Sequence, residues 1–252
     1  MTLHRLYSKS FSFCCGGSTF VVLPFFIFVL MQRSLITYLE SFLTPRRRAL
    51  FRRILQERTR YLTVVLEDIY QPHNASAVLR TCECFGIQDI HIIENRNRYT
   101  VNPDVALGAS KWLTLIKYNG KENNTADALA SLKKKGYRLV ATVPGNDSVP
   151  LSAFDLDKGK TALLFGTELT GLSDEALRMA DERLHIPMFG FTESFNISVS
   201  AGIILSHLVL KYHKKKNWKL TSGEKEQLYL QWLKNSIKSS EQIIANWKKR
   251  PS

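Results

Sequence analysis

From Tyr61 to Tyr212 the chain alternates short apolar runs with segments of helical length, and no other feature restricts its fold so tightly. Leu62–Glu67 (LTVVLE) and Thr161–Phe165 (TALLF) are unbroken runs of strand length, the pattern of strands covered on both faces. Asp89–Glu94, Trp112–Tyr118, Tyr137–Val143 and Leu184–Met188 read as further strands. Between and after them, Asn74–Phe85, Thr125–Lys135, a short stretch from Ser173 to Ala180, and Ile197–Tyr212 read as helices. Gly86 and Gly136 stand where helices stop. Asn124 or Thr125, and Ser173, stand where they start, the last with Asp174 and Glu175 in its first turn. This order predicts an α/β fold, a mostly parallel sheet with helices on both faces.

Charge is distributed unevenly. Net charge is +13, yet residues 61–210 carry fourteen Lys/Arg against seventeen Asp/Glu. The excess lies outside: seven Arg against Glu57 alone in 46–60, and eleven Lys/Arg against three Glu in 211–252. Leu35–Leu43 and Arg47–Arg58 read as helices, the second with Leu50, Phe51, Ile54 and Leu55 on one face and arginines on the other. Beyond residue 212 a helical arm, broken near Asn217 and Gly223, carries Leu228, Trp232, Ile237, Ile243, Ile244 and Trp247 as an apolar stripe. The domain organisation is therefore read as a basic arm at 31–60, an α/β domain at 61–212 and a basic arm at 213–252. Basic arms favour polyanions, because Lys and Arg contacts to phosphates release counterions; solvated helices are the plainer alternative.

Residues 1–30 fit this scheme poorly. Phe20–Met31 is apolar but too short to span a bilayer, and it resembles a signal core without a small-residue cleavage site after it. Met31 is itself a plausible start, so 1–30 is read as an over-extended start or a disordered apolar tail, with no membrane partner expected; a membrane anchor or signal is the alternative. Cys14, Cys15, Cys82 and Cys84 have no metal-ligand spacing, which argues against zinc and, with no other metal motif, leaves no metal expected. They suit a reducing, cytoplasmic compartment.

Three segments carry the candidate chemistry: Pro72-His73-Asn74-Ala75-Ser76-Ala77-Val78-Leu79-Arg80, Leu164-Phe165-Gly166-Thr167-Glu168-Leu169-Thr170-Gly171-Leu172-Ser173, and Ile186-Pro187-Met188-Phe189-Gly190-Phe191-Thr192-Glu193-Ser194-Phe195-Asn196-Ile197-Ser198. Each follows a strand-like run, and loops at strand ends bind ligands in open α/β sheets. No GxGxxG, GxxxxGK[ST] or GxSxG is present, which disfavours dinucleotide enzymes, P-loop NTPases and serine hydrolases. Taken singly, the glycines could be turn residues, Glu168 a cap or surface carboxylate, and Ser194 and Asn196 turn chemistry. His73 and His207 have no partner in sequence and read as structural.

In this order and at these intervals the segments resemble the signature motifs of the SPOUT superfamily, TrmH branch, whose members are S-adenosylmethionine-dependent RNA ribose 2′-O-methyltransferases. The resemblance runs from about Leu35 to the C-terminus and is greatest to the tRNA guanosine-18 enzymes. It implies a sheet whose C-terminal part forms a deep trefoil knot, with S-adenosyl-L-methionine bent into the knot. Thr142, Gly166, Ile186, Met188 and Phe195 would border that cofactor. Phe195 departs from the leucine usual there. The resemblance assigns catalysis to Arg80, with Asn74, Glu168, Ser194 and Asn196 around it, Glu168 holding Asn196 or the methionine amino group. Family accounts make the arginine a general base, which conflicts with arginine keeping its proton in proteins; a phosphate-bound Arg80 that aligns the ribose is the alternative. Arg46, Arg47, Arg48, Arg52, Arg53 and Arg58 would contact RNA, and a homodimer through the knot region would complete each site. The implied substrate is the D-loop guanosine of tRNA. Ribosomal RNA is the first alternative, disfavoured because relatives acting on it carry a small N-terminal domain, and a non-catalytic RNA-binding protein is the second.

Overall fold

A computed structural model describes residues 22–100, 102–145 and 147–249. The chain divides into two compact units, one drawn from residues 1–52 and 225–252 and the other from 53–224. This cut differs from the sequence reading, which treats the two arms as separate and ends the central domain at 212. The reading of residues 1–21 as a tail lies outside the described residues, as do Cys14 and Cys15. Helix α1 (Val22–Glu40) already includes Met31, and no helix among the described residues is long and apolar enough to cross a membrane.

The first unit is helical: α1, most of α2 (Pro45–Leu55), and the later parts of α8 (Ser222–Ser236) and α9 (Ser240–Lys248). Pro45 starts α2, where a missing N–H costs nothing. Its core packs the Phe51 ring edge-on against Trp232 at 5.8 Å and Tyr229 at 6.4 Å. One Glu40 oxygen accepts from both Arg52 and the Tyr229 hydroxyl, each at 2.6 Å. Leu228 and Trp232 of the C-terminal stripe are buried, whereas Ile237, Ile243, Ile244 and Trp247 are half-buried.

The second unit is the α/β body. Its strands are β1 (Leu62–Glu67), β2 (Asp89–Ile93), β3 (Thr114–Tyr118), β4 (Arg138–Thr142), β5 (Val149–Pro150), β6 (Thr161–Phe165) and β7 (Glu182–His185), with α3 (Pro72–Cys84), α4 (Pro103–Ala106), α5 (Thr125–Lys134), α6 (Asp174–Met179) and α7 (Ile197–Tyr212). Among the described residues all seven strands are parallel, in the order β3-β2-β1-β6-β4-β7-β5. The two unbroken apolar runs, β1 and β6, lie side by side in the interior and are wholly buried. Strand alternation then divides the core. Leu62, Val64, Leu66, Leu163 and Phe165 pack with α3 and α7, and Val65, Ala162 and Leu164 pack with α5 and α6.

The order has a consequence for ligands. From β1 the chain runs outward through β2 and β3, then returns on the other side, where β6 enters between β1 and β4. The connections leaving β1 and β6 therefore diverge, and a crevice at the carboxyl ends of such neighbours is where ligands bind in open α/β sheets.

One strand differs from expectation. Leu184–Met188 is read as a strand from its apolar residues, but β7 spans Glu182–His185, starting on polar residues. Arg138 of β4 and Glu182 of β7 are ion-paired at 2.7 Å with both side chains largely buried, which holds the polar start in the sheet. Ile186 and Met188 thus fall in the loop beyond the strand, where Pro187 has no N–H for a ladder.

Candidate active site

Thr142 ends β4, Gly166 follows β6 and Ile186 follows β7, so three of the predicted cofactor residues share the carboxyl edge of adjacent strands. Thr142 donates its hydroxyl to the carbonyl of Leu164 at 2.7 Å, tying β4 to β6 at that edge. Asn74 follows β1 in the first turn of α3. The crevice between β1 and β6 is therefore lined by Asn74 from one side and the 166–172 loop from the other.

That loop is closed on itself. Thr167 N–H donates to the carbonyl of Gly171 at 2.9 Å, and Gly171 N–H returns to Thr167 at 3.0 Å. The Thr167 hydroxyl accepts from Thr170 N–H at 3.0 Å. Gly171 takes φ +70°, open to glycine at little cost. Gly166 is required for a different reason: a Cβ there would stand 2.1 Å from the Gly171 carbonyl carbon and 2.3 Å from Leu172 N. The exposed tip is Glu168-Leu169-Thr170.

A single amide chain joins the three sequence segments. Asn196 is the N-cap of α7, its Oδ1 accepting from Ser198 N–H at 2.9 Å and Ser198 Oγ at 2.7 Å. The cap fixes the amide's orientation and leaves Nδ2 to donate to Asn74 Oδ1 at 3.2 Å. Asn74, itself buried, donates onward to Glu168 Oε1 and to Gln71 Oε1. So Glu168 meets Asn74, which stands between it and Asn196. Of the two expectations for Glu168, a contact with Asn196 or with the methionine amino group, the first is replaced by a contact through Asn74.

Other candidates stand apart from this chain. Arg80 is exposed on α3 and has no hydrogen-bond or ion-pair partner among the described residues. Ser194 is exposed and unbonded, and Phe195 is 42% exposed. Met188 to Ser194 form no backbone–backbone hydrogen bond among the described residues. Phe189 and Phe191 in that stretch are almost wholly exposed.

The arginines of α2 separate into kinds. Arg46 and Arg53 are exposed without partners among the described residues; Arg48 is half-buried, and the Arg47 guanidinium lies 5.6 Å from the centroid of Phe51. Arg52 remains 64% exposed while paired with Glu40, whose hydrogen bond and charge raise its pKa further. Arg58 does not belong with them. It is 1% exposed, ion-paired to Glu83 at 2.7 Å and directed at the Ile87 carbonyl, and burial lowers its pKa despite Glu83. Its role is in the interior, not at an RNA surface. His73 and His207 are exposed, so neither is a core histidine. Cys82 is buried, which pushes its thiol pKa up, while Cys84 is exposed.

Two residues that support the site escaped sequence reading. Glu67, buried at the end of β1, accepts from Ser173 N–H at 2.9 Å, Ser173 Oγ at 2.7 Å and Thr125 Oγ1 at 2.7 Å. It anchors the exit of the 166–172 loop to the strand beside the crevice. Asp68, at φ +55°, accepts three backbone N–H groups of the loop after β2. The signal available was the acidic pair closing an apolar strand, Glu67-Asp68.

Comparison with known proteins gives one consistent result. The model of the SpoU rRNA Methylase family matches residues 61–206. A tRNA (guanosine(18)-2′-O)-methyltransferase of Borreliella burgdorferi is 43% identical over 209 residues, covering 82% of this chain and 93% of that protein. The crystal structure of a TrmH/SpoU tRNA modifying enzyme from Aquifex aeolicus superposes with a TM-score of 0.68 at 29% identity, over 77% of this chain and 98% of that one. A SpoU methyltransferase from Streptomyces viridochromogenes, solved with AdoMet, shares the fold at 22% identity, with a TM-score of 0.52 over 61% of each chain.

Proposed function

The chain belongs to the SpoU rRNA Methylase family, and from that premise we propose that it is an S-adenosylmethionine-dependent tRNA (guanosine(18)-2′-O)-methyltransferase. The observation that carries the reading is the Asn196–Asn74–Glu168 chain at the β1/β6 crevice, which joins all three signature segments. Similarity to guanosine-18 enzymes over most of their length supports tRNA as the substrate.

The residues present fit the cofactor. The unbonded backbone of Met188 to Ser194 offers donors and acceptors to an adenosine, beside the apolar side chains of Ile186, Met188 and Phe195. Glu168 brings a carboxylate to the crevice for a cationic amino group. When bound, S-adenosyl-L-methionine supplies an electrophilic methyl group on a sulfonium. The rest is positioning, which can contribute much of the rate when two reactants are held in register. Asn196, rigid as a helix cap, orients Asn74, and Asn74 orients Glu168. Arg80, unpaired and exposed, suits a substrate phosphate, since guanidinium binds phosphate by two parallel hydrogen bonds. In this reading Arg80 aligns the ribose and its 2′-oxygen proton leaves to phosphate or water.

The same reading includes a trefoil knot in the β6–α7 region, a homodimer through that region, a cytoplasmic location, and RNA contacts from Arg46, Arg47, Arg48, Arg52 and Arg53. Exposed apolar side chains near the site, Phe189, Phe191 and Val199, support the dimer. The test is methyl transfer from labelled S-adenosylmethionine to unmodified tRNA transcripts, with the product nucleotide mapped. A 2′-O-methyl group at the D-loop guanosine, absent with Arg80→Ala, is the expected result. No transfer to any tRNA, with transfer to ribosomal RNA, would reassign the substrate.

A further inference from the structure

We propose that Arg96 and Arg98, on the loop after β2, form a second phosphate-binding site on the catalytic unit itself. Its ligand is the RNA backbone beside the target nucleotide, so the inference rests on the reading of the chain as an RNA methyltransferase. Both arginines are exposed, and neither guanidinium has a hydrogen-bond or ion-pair partner among the described residues. Exposed arginines alone are commonplace, and residues 61–210 are net acidic. What sets this pair apart is the backbone beneath it.

The loop is fixed at both ends by carboxylates that turn inward. Asp68 Oδ1 accepts from the N–H groups of Asn95, Arg96 and Asn97 at 3.1, 2.8 and 2.8 Å, and Asn97 Nδ2 returns to the Asp68 carbonyl at 2.8 Å. Buried Glu94 accepts from Tyr99 N–H at 3.0 Å and from Lys117 Nζ at 2.8 Å, and Lys117 also donates to the Tyr99 carbonyl at 2.7 Å. Burial alone would raise the Glu94 pKa, but these bonds and one from Asn119 leave it below the usual carboxylate range. Both acids are thus engaged with the backbone and Lys117, and the two guanidinium groups face solvent uncompensated. Surface loops are commonly mobile; this one is held in advance of binding, which cuts the ordering cost of an interface.

Its position ties it to the reaction centre. The Tyr99 hydroxyl pairs with Ser76 Oγ at 2.9 Å, and Ser76 Oγ accepts from Asn102 N–H at 2.9 Å. Ser76 lies two residues after Asn74 on α3, and four before Arg80, so it shares the face of Arg80. The loop therefore docks one turn from the proposed catalytic arginine. Arg80, Arg96 and Arg98 are three unpaired cations on two segments joined at Ser76, suited to several phosphates of one RNA strand.

The experiment measures binding of an unmodified tRNA transcript between 50 and 200 mM salt for wild type, Arg96→Ala/Arg98→Ala and Arg96→Lys/Arg98→Lys. Loss of two phosphate contacts lowers the slope of log K against log salt by roughly 1.4 to 1.8, which weakens binding roughly 25- to 60-fold at about 0.1 M salt relative to a reference of about 1 M. The lysine pair restores the slope, because a point charge suffices for counterion release. Thermal midpoint and S-adenosylmethionine affinity check that the alanine variant is folded. An unaltered slope and affinity in the alanine variant, with wild type methylating tRNA, overturns this inference alone. Failure of wild type to bind or methylate any RNA overturns the functional reading and this inference with it.

Discussion

Replacing Gly166 with Ala tests how the 166–172 loop is built. The new Cβ would lie 2.1 Å from the Gly171 carbonyl carbon, 2.2 Å from its oxygen and 2.3 Å from Leu172 N. All three are backbone atoms, so no side chain can swing aside. To reach an ordinary contact the strand exit and the loop return must part by more than an ångström, which breaks the reciprocal Thr167–Gly171 hydrogen bonds. Two such bonds contribute about 1–3 kcal/mol, and overpacking of a filled site costs a similar amount. Together that is about 2–6 kcal/mol, which for a unit of this size, at about 3 °C per kcal/mol, corresponds to a fall in Tm of roughly 6–18 °C. Because Glu168 rides on the same loop, S-adenosylmethionine affinity should fall with it. Gly171→Ala is the internal control: its φ is +70° but nothing lies within 4 Å of the added Cβ, so only backbone strain of about 1–2 kcal/mol arises. Calorimetry or a thermal-shift scan, with isothermal titration of the cofactor, reads both variants. If Gly166→Ala matches wild type, or is milder than Gly171→Ala in both readouts, the steric argument is wrong.

Three further outcomes are expected. Asn74→Ala removes the link between Asn196 and Glu168; methyl transfer should drop at least ten-fold, at a stability cost of about 1–3 kcal/mol, and full activity would show that the amide chain is ornamental. Arg46, Arg47 and Arg48 changed together to Ala should weaken tRNA binding and reduce its salt slope by roughly 2 to 2.7 while leaving cofactor affinity intact; unchanged RNA affinity contradicts a role for the arm. His91, buried on β2 with Nδ1 2.9 Å from the Tyr118 hydroxyl, has its pKa lowered to about 4 by burial and then by Lys135. The folded value lies below the unfolded one of about 6.5, so the unfolded chain holds the extra proton between them. The contribution is therefore complete above pH 6.5 and lost as pH falls towards 4, by roughly 3 kcal/mol in all. Denaturant titrations of wild type minus His91→Gln across pH 4–7.5 should recover that difference, and a flat difference would refute it.

The body of the fold was legible because its central strands need no context. β1 and β6 are continuous apolar runs, found with the bounds predicted. β7 was misplaced because an ion pair between Arg138 and Glu182 sustains a strand start that apolar periodicity cannot reveal. β5 went unseen because it is two residues long and exists only by pairing with β7. At the site, residue types followed from the three segments, but the wiring did not. Asn74 meets Glu168 across 94 residues and Asn196 across 122, and no local pattern encodes such contacts. Arg58 shows the opposite error: in sequence it is one more basic residue of the arm, yet the turn into Thr59, which bridges Ile87, carries it inward to Glu83.

The insertion of β6 between β1 and β4 also sets a schedule for the nascent chain. β1 pairs with β2 soon after both emerge, but its other edge is closed by β6, where Leu62 is matched to Thr161. About a hundred residues must be translated in between, which at roughly 5–20 residues per second takes some 5–20 s. For that interval a strand that is wholly buried in the finished sheet has one row of backbone groups unclaimed, open to pairing with a neighbouring chain. Slow translation or crowded polysomes should therefore lower the yield of this protein, and a chaperone that shields β1 until residue 165 has emerged should raise it.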